Sequence, residues 1–370
     1  MSPLAPVFVI IGFIALVGGA ELLIRGASRL ALTIGISPLV VGLTVVAFGT
    51  SAPEAAVSLW STITGQSGIA VGNVVGSNIF NILFVIGLAA LVVPLLVNQQ
   101  LIRIDVPLMI GASVILFLMS LDGKITRIDG AILFSGIISY TVWAIRKSRR
   151  ELKDIDDEYE SEFGQSEGEL RRSSTLLDLV IIAVGIIFLV IGSRSLVVGA
   201  VDIAKFLGVS ELIIGLTIIS IGTSLPEVMT SVLASIRNER DIAVGNAVGS
   251  NMFNIMAVFG LTGLVAPNGI IVPKTALQLD MPVMIVVAIA CLPIFFSGHI
   301  ISRWEGMLFF GYYLIYITYL VLVVLEYPGL FYFSTVMFIF ILPLTMITLA
   351  VTAWREWKSG LYETEKSVFN

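Results

Sequence analysis

Two six-residue stretches, Gly-Thr-Ser-Ala-Pro-Glu at Gly49–Glu54 and Gly-Thr-Ser-Leu-Pro-Glu at Gly222–Glu227, interrupt runs that otherwise have the composition of membrane spans. A carboxylate at membrane depth costs roughly 3 kcal/mol or more, so it faces a partner or a polar cavity rather than lipid. Each proline removes an N–H and frees the carbonyl four residues earlier, Gly49 in the first stretch and Gly222 in the second. The glycine lets the backbone unwind and approach a ligand closely. Each stretch thus offers carboxylate, hydroxyl and carbonyl oxygens, the hard ligands of cation-binding chemistry.

The two stretches belong to a long internal repeat. Glu54 and Glu227 are 173 positions apart (227 − 54), and this offset holds without a gap from Gly19/Gly192 to Asn81/Asn254. IAVGNVVGSNIFNI, residues 69–82, matches IAVGNAVGSNMFNI, residues 242–255, at 12 of 14 positions. Further on the offset grows to 175, aligning Asp105-x-Pro107 with Asp280-x-Pro282. A repeat of this length means two copies of one structural unit.

Composition says where those units sit. With 57% hydrophobic and 13% charged residues, and a mean hydropathy of +1.01, the chain has about half the charge of a soluble domain and reads as a polytopic membrane protein. A bilayer core of roughly 30 Å takes about 20 apolar helical residues per crossing. On that ruler eleven spans are predicted, near residues 4–30, 36–64, 69–96, 105–121, 128–146, 175–205, 209–237, 241–266, 280–297, 303–326 and 330–354. The N-terminus lacks a basic leader and a small-residue cleavage site and is read as part of the first span.

The expected fold is an all-α polytopic membrane protein with two five-helix repeats, residues 1–146 and 175–326, making a ten-span core. Residues 147–174 form a charged cytoplasmic linker, read as solvated and partly disordered, and residues 327–370 supply one extra C-terminal span and a tail. Because five is odd, the second repeat enters the membrane from the opposite side, an inverted-repeat architecture typical of transporters. Loop charges agree: with the N-terminus outside, Arg25, Arg29, Arg103, Arg146, Lys147, Arg149, Arg150, Arg237, Arg240 and Arg303 all fall inside. One cysteine and one histidine exclude a disulfide framework and a His/Cys metal cluster.

The third span places Asn73, Ser77 and Asn81 on one helical stripe, and the eighth repeats it with Asn246, Ser250 and Asn254. Small polar residues of this kind also glue membrane helices together, so Asn73 and Asn246 are open to either a packing or a ligating reading. Asp105 and Asp280 precede Val-Pro and Met-Pro and are expected to cap helix N-termini. Glu21 is expected to pair with Arg25 one turn away, not with its repeat equivalent Arg194.

GTSAPE followed by GNVVGSNIFN, repeated as GTSLPE and GNAVGSNMFN, resembles the paired signatures of the sodium/calcium exchanger family of cation/Ca²⁺ antiporters, over residues 1–326. The resemblance implies a Ca²⁺ site built from the Glu54 and Glu227 carboxylates and the Thr50 and Thr223 carbonyls. It implies outer Na⁺ sites from Ala47, Thr50, Ser51 and Ser77 with Glu54, and from Ser220, Thr223, Ser224 and Ser250 with Glu227, and a middle position near Asn81 and Asn254. Family members often carry an acid at one or both of the positions held here by Asn81 and Asn254, which leaves two fixed charges in this chain.

The implied function is secondary active export of Ca²⁺ in exchange for Na⁺, in the cell membrane. The alternative is Ca²⁺/H⁺ antiport on the same glutamates. The ions are substrates. No cofactor, nucleic acid or obligate protein partner is expected, and no enzymatic activity. An intramembrane aspartyl protease would need a Gly-x-Gly-Asp stretch that the sequence lacks. A passive channel would be told apart by flux that needs no trans ion.

Overall fold

A computed structural model describes residues 4–163, 175–209, 214, 218, 220–296, 298–330 and 335. The elements are α1 (Ala5–Ile34), α2 (Pro38–Thr50), α3 (Ala52–Ile63), α4 (Ser67–Val92), α5 (Leu101–Met119), α6 (Arg127–Phe163), α7 (Thr175–Phe206), α8 (Ser220–Gly222), α9 (Leu225–Ile236), α10 (Arg240–Val265), α11 (Ala276–Phe296) and α12 (Arg303–Val324). Among the described residues eight helices are long and apolar enough to cross a bilayer. A ninth span is the pair α2 and α3, bent by 44° at its break. The chain is a multi-pass integral membrane protein. The expected eleventh span, residues 330–354, and most of residues 210–219 lie outside the described residues.

The two helices that carry the Gly-Asn and Gly-Ser-Asn motifs sit innermost. In α4 and α10, 78% of the spanning segment is buried, against 11% in α12. Lipid selects apolar side chains at the periphery, so glycine- and asparagine-rich helices are tolerated only where protein surrounds them. Around this centre, α1 and α7 lie antiparallel with their backbones in near contact. A Cβ at Gly12 would come within 2.8 Å of the Gly192 carbonyl oxygen, and one at Gly19 within 2.8 Å of that of Gly185. The seven-residue glycine spacing keeps both contacts on one helical face, which is how small residues allow membrane helices to approach.

Two short antiparallel ribbons tie the repeats together. Leu95–Leu96 (β1) pairs with Ile300–Ile301 (β4), and Lys124–Ile125 (β2) pairs with Ile270–Ile271 (β3). Because β1 and β3 are repeat equivalents (270 − 95 = 175), as are β2 and β4, the two ribbons are the same pairing made twice. Wide π-helical turns recur likewise, at Asn81–Ile86 and Phe253–Val258, and at Leu101–Asp105 and Ala276–Asp280.

One sequence expectation fails here. In the first part of the linker α6 runs on to Phe163, with an i,i+4 pair of Lys147 and Glu151 at 3.5 Å. Asp105 and Asp280 do not cap helices, because the π turns before them carry the helices on through both positions. Asp105 is instead buried and accepts from the Tyr140 hydroxyl at 2.9 Å and from Gln100 Nε2 at 3.3 Å, while Asp280 accepts from Tyr316 at 3.0 Å. Each Asp–Tyr bond fastens a π turn to a neighbouring helix. The pairing of Glu21 with Arg25 is as expected, at 2.6 Å, and Arg237 joins it at 2.8 Å.

Candidate functional site

Both proline motifs break their helix at the serine. Ser51 (φ −78°, ψ 3°) separates α2 from α3, and Ser224 (φ −93°, ψ 9°) separates α8 from α9. The breaks place Glu54 and Glu227 in the first turns of α3 and α9, where unpaired backbone N–H groups and the helix dipole favour negative charge. Both side chains are fully buried.

The freed carbonyls do not fare alike. The Gly222 oxygen accepts a hydrogen bond from the Ser193 hydroxyl of α7, so it is not an unpaired ligand as the sequence suggested. Ser193 has Ala20 as its repeat equivalent, and alanine can make no such bond to Gly49. The Ala47 carbonyl, another candidate, accepts from the Ser51 N–H at 3.0 Å, and Thr50 Oγ1 lies 3.4 Å from it. Ser220 is the first residue of α8.

The remaining candidates form one cluster that crosses between repeats. Thr50 Oγ1 donates to Asn246 Oδ1 at 3.0 Å and accepts from Ser250 Oγ at 3.2 Å. Symmetrically, Thr223 Oγ1 donates to Asn73 Oδ1 at 3.4 Å. The Asn73 amide donates to Ser58 Oγ and to the Glu54 carbonyl, and that of Asn246 to Ser231 Oγ. Asn73 and Asn246 thus bond at both ends of their amides and hold the broken helices in place. Ser77 Oγ donates to the Asn73 carbonyl at 2.7 Å and accepts from Asn254 Nδ2 at 3.1 Å.

Six oxygens of this cluster have no hydrogen-bond partner among the described residues: Ser51 Oγ, Glu54 Oε2, both carboxylate oxygens of Glu227, Asn81 Oδ1 and Asn254 Oδ1. Buried polar atoms are satisfied in more than nine cases of ten, and two of these groups are carboxylates. Two buried carboxylates faced by hydroxyls and amide oxygens, and by no basic side chain among the described ion pairs, make a place that a desolvated cation can fill. Among the described residues no three His, Cys, Asp or Glu side chains converge; the acidic side chains of the cluster are Glu54 and Glu227, and its other unpartnered oxygens are neutral.

The two halves of the cluster are unequal. Ser224 Oγ donates to Glu54 Oε1 at 2.9 Å, whereas its equivalent Ser51 makes no bond to Glu227. Glu54 has one unpartnered oxygen and Glu227 has two. The sequence reading also passed over Asn78 and Asn251, which join the cluster from the same Gly-Ser-Asn motif. Their signal was available, since the two occupy equivalent positions inside the 14-residue repeat block.

Comparison with known proteins bears on this geometry. The family model described as "Sodium/calcium exchanger protein" matches residues 4–146 and 177–322. The inner membrane protein YrbG of Escherichia coli is 38% identical over 287 residues, 77% of this chain and 87% of that protein. The sodium/calcium exchanger MaX1 of Methanosarcina acetivorans is 29% identical over 340 residues, 84% of this chain and 97% of that protein. A solved structure of the sodium-calcium exchanger NCX_Mj, soaked with 10 mM Na⁺ and zero Ca²⁺, superposes with a TM-score of 0.72 at 29% identity, covering 86% of this chain and 99% of that one. With a family model that spans both repeats, the chain belongs to the sodium/calcium exchanger family of antiporters.

Proposed function

We propose that this antiporter exports Ca²⁺ in exchange for Na⁺ by alternating access, binding its ions between the two broken, glutamate-bearing helices near the membrane midplane. The observation that carries this reading is the set of six unpartnered buried oxygens around Glu54 and Glu227. The Methanosarcina relative, a sodium/calcium exchanger by name, supports the choice of ions. In this reading the core is two inverted five-span repeats, residues 1–146 and 175–326, with the N-terminus outside, residues 147–174 as a cytoplasmic linker and an eleventh span after residue 327.

Charge balance gives the mechanism. Two carboxylates are neutralised by one Ca²⁺ or by two Na⁺, so each cargo in turn discharges the site. Ca²⁺ takes six to eight oxygens in flexible geometry, and Glu54 Oε2, both Glu227 oxygens, Ser51, Asn81 and Asn254 offer six, with water or motif carbonyls for the rest. Without an ion, two desolvated carboxylates share one space uncompensated, which opposes the change of access and so enforces exchange over leak.

A second reading, Ca²⁺/H⁺ antiport, is favoured by one feature: amides at Asn81 and Asn254 leave two fixed charges, and two protons balance one Ca²⁺ as well as two Na⁺ do. The deciding experiment is ⁴⁵Ca²⁺ uptake into proteoliposomes with Na⁺, K⁺ and pH gradients imposed separately. Uptake driven by an outward Na⁺ gradient at uniform pH is expected. Uptake indifferent to Na⁺ and driven by the pH gradient would replace sodium with protons.

A further inference from the structure

We infer that Asn251, seconded by Asn78, is a positioning residue that fixes which end of the Asn81 and Asn254 amides faces the ions. The inference rests on the ion-binding reading above. An asparagine offers an oxygen or an NH₂ depending on a half-turn of its side chain, and only the oxygen attracts a cation. Nothing in the residue type decides between the two. The hydrogen-bond chain around these four asparagines does.

The chain starts from a group that cannot turn. The backbone carbonyl of Asn78 accepts from Asn251 Nδ2 at 3.2 Å, so Asn251 must present its NH₂ there and its oxygen on the other side. That oxygen accepts from Asn81 Nδ2 at 3.1 Å, which commits the Asn81 NH₂ in turn. Asn81 Oδ1 is left buried and unpartnered. Reversing Asn251 would set its oxygen against the Asn78 carbonyl and its NH₂ against that of Asn81, two repulsive contacts in a buried place.

Asn254 is fixed by a separate route to the same result. The Ser77 hydroxyl has a single hydrogen, and its two acceptors on that side are the Asn73 carbonyl at 2.7 Å and the Val74 carbonyl at 3.1 Å. Towards Asn254 it can only accept, and it takes Nδ2 at 3.1 Å. The other hydrogen of Nδ2 goes to Asn78 Oδ1 at 3.2 Å. Asn254 Oδ1 is therefore also unpartnered and buried. Thioether sulfurs take the outer sides of the locking residues, with Met109 3.6 Å from Asn251 Nδ2 and Met284 3.5 Å from Asn78 Nδ2. These weak acceptors offer the locks little reason to turn.

The two amides thus act as neutral oxygen donors to a cation, and the site stays a cation site with two charges. The test is a double-mutant cycle on purified full-length protein, with ⁴⁵Ca²⁺ binding and saturable ⁴⁵Ca²⁺ transport as readouts. Asn251→Leu removes the lock, lets Asn81 turn its NH₂ inward, and is expected to weaken Ca²⁺ binding about tenfold with the maximal transport rate kept. In an Asn81→Asp background, both ends of the side chain are oxygen, so orientation no longer matters and N251L is expected to change binding by less than about twofold. Asn251→Ser, which adds no bulk, repeats the cycle if N251L does not fold. Asn78→Leu should cost less than N251L, because Ser77 still holds Asn254. Unchanged binding in N251L, or an equal loss in both backgrounds, overturns the inference and leaves only a packing role. A wild-type chain that binds neither Ca²⁺ nor Na⁺ would instead overturn the ion-binding reading, and the inference with it.

Discussion

Replacing Glu227 with glutamine removes one of the two charges of the site while keeping the side-chain volume, and the structure gives it a different signature from the same change at Glu54. Both Glu227 oxygens lack a donor, whereas Glu54 commits Oε1 to Ser224 at 2.9 Å. Without Ca²⁺, E227Q discharges a buried group that no hydroxyl holds as closely as Ser224 holds Glu54, so its melting temperature should hold or rise. E54Q turns a charge-assisted hydrogen bond of about 1.5–3 kcal/mol into a neutral one of about 1 kcal/mol, and should lose about 1 kcal/mol of stability. With Ca²⁺ the order of importance reverses. A unit charge pair at about 4 Å is worth about 4 kcal/mol at an effective dielectric near 20, and a divalent ion doubles it. If water and the glutamine oxygen return half of that, about 4 kcal/mol is lost, or about a thousandfold in affinity. The assays are the Ca²⁺-dependent rise in melting temperature of the purified protein and Na⁺-driven ⁴⁵Ca²⁺ uptake in proteoliposomes. Ca²⁺ affinity in E227Q within tenfold of the wild type would refute the assignment of Glu227 as a ligand. A destabilisation without Ca²⁺ equal to that of E54Q would refute the reading that its oxygens lack partners.

Two further substitutions probe the surroundings. Asn254→Asp adds a third charge to the cluster and should tighten cation binding and shift the Na⁺-to-Ca²⁺ coupling ratio, measured by parallel ²²Na⁺ and ⁴⁵Ca²⁺ fluxes; an unchanged ratio would place residue 254 outside the electrostatic reach of the ions. Ser193→Ala strips the donor from the Gly222 carbonyl, which Pro226 has already deprived of its helical N–H, and should cost about 1–2 kcal/mol of stability in a thermal melt. A melt superimposable on the wild type would mean that the carbonyl finds another donor.

The sequence by itself determined the repeat, the two broken helices and most of the polar cluster. Each of these follows from residue type and spacing alone: a proline ends backbone hydrogen bonding wherever it stands, an intramembrane glutamate requires a partner, and the offset of 173 states which residues are equivalent. Glu54, Glu227, Ser51, Asn81 and Asn254 could therefore be named in advance, and all five prove to carry unpartnered buried oxygens.

What equivalence does not determine is whether an equivalent bond is made. Ser224 reaches Glu54 and Ser51 does not reach Glu227, although the sequence treats the pairs alike. Gly222 finds Ser193, whose repeat equivalent Ala20 can make no such bond to Gly49, so two carbonyls that the sequence treats alike have different partners. Asp105 and Asp280 looked like helix caps because proline follows at the second position, yet Tyr140 and Tyr316, 35 and 36 residues away, claim their carboxylates. The direction of the Asn81 amide is the plainest case. It hangs on a backbone carbonyl of one repeat meeting a side chain of the other, 173 residues apart. Hydrogen bonds are short and directional, so they are settled by where non-equivalent neighbours lie in three dimensions, and that is a property only the assembled helices possess.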